Sequence, residues 1–473
     1  RQALHDAAEK IAEKDAARYF RLPIDRSFAV KGFGTVVTGT LISGHVATED
    51  EVELLPQGKR VRVRGLQTGG HSVARAEAGQ RTAVNLAGVE HTSIQRGMVI
   101  ATLGRLRPTR RLDLRLELLG SAQKMKQRAR VHIHVGTAET VGEVFLYDST
   151  ELAPGQSALA HVRLDHEVVA MRGDRFIVRQ FSPVITTGGG VVIDPLARRP
   201  AKKDSGRIQF LQTMEGGSRE DILAAMAERN VLGIAEQDII ARTGWLEAEL
   251  RATADALAGS KRVRTVSTEP RILLSGSLFA EISEKLRLRV EKFHKDNPLS
   301  PGMQREDLRT SLGRRVRPET FRAALEELVQ QKKLVTQGEL VKKPGSEITM
   351  TPEEVQAKQQ IEQAFAKAGL AVPSVKEVLA QLSIESRRAE KILQILLRDK
   401  VVVRVSPELI FHSSALDRLP ALLAAHKQSK GAKIGVPEFK AVTGVTRKYA
   451  IPLLEYLDRQ RLTRRQGDER VIL

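Results

Sequence analysis

The 473-residue chain contains no cysteine, only one tryptophan and only four tyrosines. Without thiols there is no disulfide and no thiolate metal site, a usage that fits a reducing, cytoplasmic setting. No apolar run approaches the roughly 18 residues that a membrane-spanning helix requires, so no membrane partner is expected. Sequence signatures for binding a nucleoside triphosphate are also missing. A phosphate loop needs G-x-x-x-x-G-K-[ST], but Arg60 follows the only Gly-Lys pair, Gly58-Lys59. There is no D-x-x-G, and none of Asn85, Asn230 or Asn297 precedes a lysine. A start at Arg1 rather than methionine reads as a fragment.

What is present is positive charge. Lysine and arginine number 76 against 57 acidic residues, a net charge of +19. A basic, aromatic-poor protein of this size most often meets nucleic acid or the ribosome. The length exceeds what one core supports, so about three to six domains are expected.

The glycine-rich segment Val30-Lys-Gly-Phe-Gly-Thr-Val-Val-Thr-Gly-Thr40 looks like a phosphate loop but reads as a strand. Thr35-Val-Val-Thr38 is β-rich, and the glycines around it allow bending and close backbone approach. Residues 19–107 continue in this style, with short β-type runs such as Val52–Leu55, Val61–Arg64, Thr82–Leu86 and Met98–Ile100 between turns. Residues 108–197 repeat it with Leu112–Leu118, Val131–Val135, Ala158–Leu164, Phe176–Val178 and Val191–Ile193. Both regions read as small β-barrels or sandwiches. Alternation in Leu112–Leu118 and Val131–Val135 predicts one buried and one wet face. Residues 1–18 read as a short amphipathic helix.

After Pro200 helical patterns dominate and a unit recurs. Leu257, Leu328, Leu396 and Leu457 anchor successive copies, each followed by a β-type start at Val263, Leu334, Val401 or Leu462. A turn then carries Glu269, Glu339, Glu408 or Glu469. Thr243-Gly244 and Thr443-Gly444 mark the turn of a helix–turn–helix, where glycine suits the geometry. Helices followed by a two-stranded wing describe winged helices, in four copies: 204–275, 276–345, 350–415 and 416–473. A generic helical array is the weaker alternative because a hairpin recurs after each helix.

Several anchors carry a family resemblance: Phe20-Arg-Leu-Pro-Ile-Asp-Arg-Ser-Phe28, Ala78-Gly-Gln-Arg-Thr-Ala-Val-Asn85, Asp174-Arg-Phe-Ile-Val-Arg179 with Gly188-Gly-Gly-Val-Val-Ile-Asp194, and the C-terminal Arg447–Tyr456 and Leu462–Arg470. With these, nearly the whole chain resembles the SelB-type selenocysteine-specific elongation factors without their GTPase domain. The resemblance implies two Tu-like antiparallel β-barrels followed by four tandem winged-helix domains. Residues 1–18 would be the tail of the missing domain. GTP and Mg²⁺ belong to the full-length family; this chain is expected to hold no cofactor or metal and to have no catalytic residues.

The resemblance places a selenocysteyl pocket in the first barrel, at Asp25, Arg26 and Arg81. The chemistry is coherent: a selenol is an anion at neutral pH, and arginines favour it over a neutral serine side chain. The plain alternative is a surface charge pair, Asp25-Arg26, at a strand start. The resemblance also implies selenocysteyl-tRNA, a selenoprotein mRNA hairpin and the ribosome as partners of a monomer. The last winged helix is the candidate mRNA reader. Residues 416–473 hold 12 basic against 6 acidic residues, well above the chain average. Thr446 is a candidate N-cap, which puts Arg447, Lys448 and Tyr449 in the first helical turn. Arg464, Arg465 and Arg470 fall on the wing. These cations would grip RNA phosphates while Tyr449 or a guanidinium stacks on an unpaired base. A solvated basic face is the alternative, as are DNA binding by the winged helices and a general translational GTPase fragment.

Other features read as structural. His132 and His134 share one strand face without thiol or acidic partners in sequence. Asp165-His166-Glu167 reads as a barrel-rim loop and Thr137-Ala-Glu-Thr140 as a loop. Trp245 is assigned to a core, and Pro452 is expected to bend or interrupt the last recognition helix.

Overall fold

The computed structural model describes residues 16–32, 34–200, 204, 206–346 and 348–473. The expected helix over 1–18 therefore lies almost entirely outside the described residues. The chain divides into two compact units. The first runs to Glu284 and includes Gly313–Ala324; the second comprises Lys285–Leu312 and Leu325–Leu473.

The first unit opens with β1 (Arg21–Val30), β2 (Gly34–Thr40), β3 (Glu51–Leu55), β4 (Lys59–Thr68), β5 (Arg81–Ala87) and β6 (Val99–Thr102). They pair antiparallel in the order β3-β6-β1-β2-β5-β4, and β4 returns to β3 to close a barrel. Alternating apolar residues fill it, among them Leu22, Ile24, Val37, Val63, Val84 and Ile100. Closure removes the exposed edges that an open sheet would present. Gly39 is required by close approach, since a Cβ there would lie 2.1 Å from the Pro23 carbonyl oxygen.

The second barrel is β7 (Pro108–Leu118), β8 (Arg130–Val135), β9 (Ala138–Leu146), β10 (Ser157–Val169), β11 (Arg175–Arg179) and β12 (Thr186–Asp194). It closes in the order β7-β10-β9-β8-β11-β12. The alternation predicted for Leu112–Leu118 fails at Asp113, which is fully buried. The reason is a seam with the first winged helix. Asp113 receives Arg207, the Tyr147 hydroxyl at 2.9 Å and the His161 ring nitrogen at 2.8 Å. Next to it, buried Asp194 accepts two bonds from Arg242, at 2.7 and 3.1 Å. Burial, reinforced by the Asp113 carboxylate, pushes the Tyr147 phenol far above its ordinary value, so it remains a donor.

Four winged helices follow. The first has helices Arg219–Glu228, Glu236–Thr243 and Glu247–Gly259 and a sheet of Ile234–Ala235, Arg271–Ser275 and Val263–Thr268. The second has helices Gly276–Asp296, Arg305–Ser311 and Pro318–Gln330 and strands Met303–Gln304, Val335–Gln337 and Leu340–Lys342. The third has Pro352–Ala368, Val375–Ala380 and Ser386–Arg398, with a hairpin of Val402–Arg404 and Ile410–His412. The fourth has Leu419–Lys430, Val436–Thr443 and Arg447–Arg459, with strands Lys433–Ile434, Thr463–Gln466 and Glu469–Ile472. All four anchoring leucines are buried. Glu269, Glu339 and Glu408 lie in the wing turns, whereas Glu469 opens the return strand opposite Gln466. Trp245 packs in the core of the first winged helix. The third and fourth share one apolar cluster, from Ile361 and Phe365 through Phe411 to Phe439 and Leu457. Pro452 sits inside an uninterrupted helix, not at a break.

Candidate functional site

The first-barrel residues meet because β1 carries a bulge. Its register with β2 shifts between Ile24, opposite Gly39, and Arg26, opposite Thr38. A bulge breaks the alternation and re-aims one side chain, and that residue is Asp25. Asp25 and Arg26 lie mid-strand, at this irregularity, and not at a strand start. Asp25 accepts from Thr38 Oγ1 at 2.7 Å and from both Arg81 terminal nitrogens, at 2.5 and 3.2 Å. Those Arg81 hydrogen bonds hold the Asp25 carboxyl below the usual carboxylate range. The Arg81 side chain, at the start of β5, is 58% exposed, and Asp25 is 23% exposed. Arg26 is exposed beside them. The arrangement is a fixed, solvent-facing guanidinium with a second arginine adjacent, able to accept an anionic ligand group.

In the last winged helix, Gly444 ends the preceding helix at φ 72° and Thr446 caps the next by backbone position alone, with no side-chain cap bond. Arg447 and Lys448 are exposed in the first turn. Tyr449 is tied down rather than free to stack on a base. Its hydroxyl donates to the Val372 carbonyl at 3.0 Å, and its ring packs against the shared core of the third and fourth winged helices. Arg464 and Arg465 are exposed on the wing. Arg470 does not face solvent on the wing. It is buried, and its Nε donates to Asp458 at 2.8 Å. Asp458 also accepts from Thr463 Oγ1 at 2.6 Å, tying the recognition helix to the wing. A sequence signal for this existed: Arg470 shares a strand face with buried Ile472. Asp458 also offsets the charge of Arg470, which stands directly across the hairpin from Arg465.

Ala138-Glu139-Thr140 begins β9, and Asp165-His166-Glu167 lies within β10 beside its register shift; neither is a loop. Glu139 comes within 3.2 Å of His132 and 3.9 Å of His134, a carboxylate contact made by the hairpin between β8 and β9. Among the described residues no group of three His, Asp or Glu side chains is arranged to hold a metal.

The family model Elongation factor Tu domain 2 matches residues 34–101. The β-barrel domain of selenocysteine-specific elongation factor matches 111–199. Elongation factor SelB, winged helix, matches twice, at 288–342 and 425–472. The selenocysteine-specific elongation factor of Desulfomicrobium baculatum is 32% identical over 457 residues, covering 96% of this chain and 72% of the relative. That of Escherichia coli is 24% identical, covering 99% of this chain and 73% of its own length. A crystal structure of bacterial selenocysteine-specific elongation factor EF-Sec has the same fold, with a TM-score of 0.59 at 23% identity, over all of this chain and 72% of that one. Two closed barrels, winged helices of the SelB type and this extent of identity lead to one conclusion: the chain belongs to the family of selenocysteine-specific elongation factors.

Proposed function

We propose that this chain is the RNA-holding part of a selenocysteine-incorporating elongation factor. The barrels hold the acceptor end of selenocysteyl-tRNA, and Arg81 and Arg26 receive the selenolate, with Asp25 positioning Arg81. The last winged helix holds a hairpin in selenoprotein mRNA downstream of an in-frame UGA, using Arg447, Lys448, Arg464 and Arg465. Arg470 supports the wing from within. Two linked contacts raise the effective concentration of the charged tRNA at the right codon on the ribosome. These 473 residues carry none of the three GTP signatures. The observation that carries the reading is the 32% identity across 96% of the chain.

The test uses the whole chain, because the third and fourth winged helices share a core. Fluorescence anisotropy compares an RNA hairpin with a bulged base, its stem duplex alone and the matched DNA. A marked hairpin preference supports the mRNA role. Equal binding of all three, or a preference for DNA, removes it.

A further inference from the structure

The turn that leads into the recognition helix is not the same in the first, second and last winged helices. Gly244, Gly313 and Gly444 take equivalent positive φ values of 70°, 77° and 72°. In the first and last winged helices the next helix starts three residues after the glycine, at Glu247 and Arg447. In the second it starts at Pro318, five residues after. The extra length is occupied by Arg314 and Arg315, followed by Arg317 and, one turn into the helix, Arg322. Arg314, Arg315 and Arg322 are exposed and Arg317 is half-buried. Among the described residues none of the four forms an ion pair.

Clustered cations at a helix N-terminus are opposed by the helix dipole and by one another. The only acidic residue in the first turn is Glu319, so an external polyanion is the natural counter-charge. The segment's one aromatic, Phe321, is buried at 3% exposure, which leaves no ring for an unpaired base to stack on. Guanidinium forks without a stacking surface suit phosphates along a base-paired stem. The first winged helix provides a contrast. There the equivalent turn carries Glu247 and Glu249, held by Arg105 at 2.5 Å and Arg18 at 2.9 Å, an acidic face already covered by the protein's own arginines.

We infer that the turn Arg314-Arg315-Val316-Arg317 is a second RNA contact, one that grips the phosphate backbone of double-helical RNA without reading its sequence. The choice of RNA over other polyanions rests on the function proposed above. The two are separable because they use different residues and different RNA features.

The experiment uses the full chain, a 20-base-pair RNA duplex of arbitrary sequence and the matched DNA duplex, titrated by anisotropy at several KCl concentrations. Arg314→Ala/Arg315→Ala is expected to weaken duplex RNA binding about tenfold and to reduce the slope of log affinity against log salt by about two. Its melting temperature and its preference for hairpin over stem should be unchanged. Arg314→Glu/Arg315→Glu should weaken binding further. Unchanged affinity and slope in both variants would overturn the inference. So would wild-type binding of DNA as tight as RNA. Arg464→Ala/Arg465→Ala is run in parallel. If hairpin preference is lost there while the Arg314/Arg315 variants bind normally, this inference alone fails. If the Arg314/Arg315 loss appears without any hairpin preference in the wild type, the mRNA reading fails instead.

Discussion

Asp25 and Arg81, 56 residues apart, are joined by two hydrogen bonds across the strand between them, and Thr38 donates a third to the same carboxylate. The pair makes Arg81 a pre-oriented group rather than a mobile surface side chain. It also means that any anion arriving at Arg81 meets a guanidinium already half engaged. The nearby exposed Arg26 then supplies the charge that Asp25 offsets.

Replacing Arg81 with alanine should weaken selenocysteyl-tRNA binding by ten- to a hundredfold and seryl-tRNA binding by much less, since only the selenol is anionic. Asp25→Asn should leave Arg81 present but poorly oriented and give an intermediate loss. Binding of both aminoacyl-tRNAs, measured by protection of the ester bond from hydrolysis, checks this. Equal losses for the two tRNAs would remove the selenol-reading role.

The same pair sets a pH dependence. The Asp25 value is depressed in the folded chain, so its contribution is fully present above the unfolded value of about 3.9 and fades as pH falls through the lower folded value. The Arg81–Asp25 contact should therefore persist at pH 4, where an unperturbed aspartate is about half protonated. Carboxyl carbon chemical shifts followed by NMR from pH 6 to 2 would show a midpoint for Asp25 below that of exposed aspartates.

The seam between the second barrel and the first winged helix should be sensitive to removal of one partner. Asp194→Ala leaves buried Arg242 without its carboxylate and should cost about 3–5 kcal/mol. Asp194→Leu with Arg242→Met should recover much of that loss, because a well-packed apolar pair avoids desolvating two charges. Trp245, the only tryptophan, lies in the adjoining core, so urea unfolding followed by its fluorescence reads this unit directly.

The wing arginines should separate into two classes. Arg470→Ala removes a buried partner of Asp458 and should destabilise the last winged helix by about 2–3 kcal/mol, seen in thermal melts without RNA. Arg464→Ala/Arg465→Ala should leave the melt within about 0.5 kcal/mol of the parent and lower the salt slope of hairpin binding by about two. If Arg470→Ala left stability unchanged, the structural assignment of Asp458 would be wrong.

The order of barrels and winged helices was legible in the chain because it is written in local terms. Period-two runs such as Val131–Val135 can bury only one face, and Gly244 and Gly444 serve a left-handed turn that other residues adopt at a cost. The buried leucines recur with the winged-helix unit for the same reason. What only the tertiary structure decided is the fate of individual charges. Asp113 and Arg242 look like surface residues in sequence, yet each is buried against a partner 94 or 48 positions away. A charged side chain enters a core only when its counter-ion arrives with it, and folding, not spacing along the chain, determines where that counter-ion stands. The bulge that turns Asp25 toward Arg81 is the same kind of fact: it depends on how two strands register, which no single strand encodes.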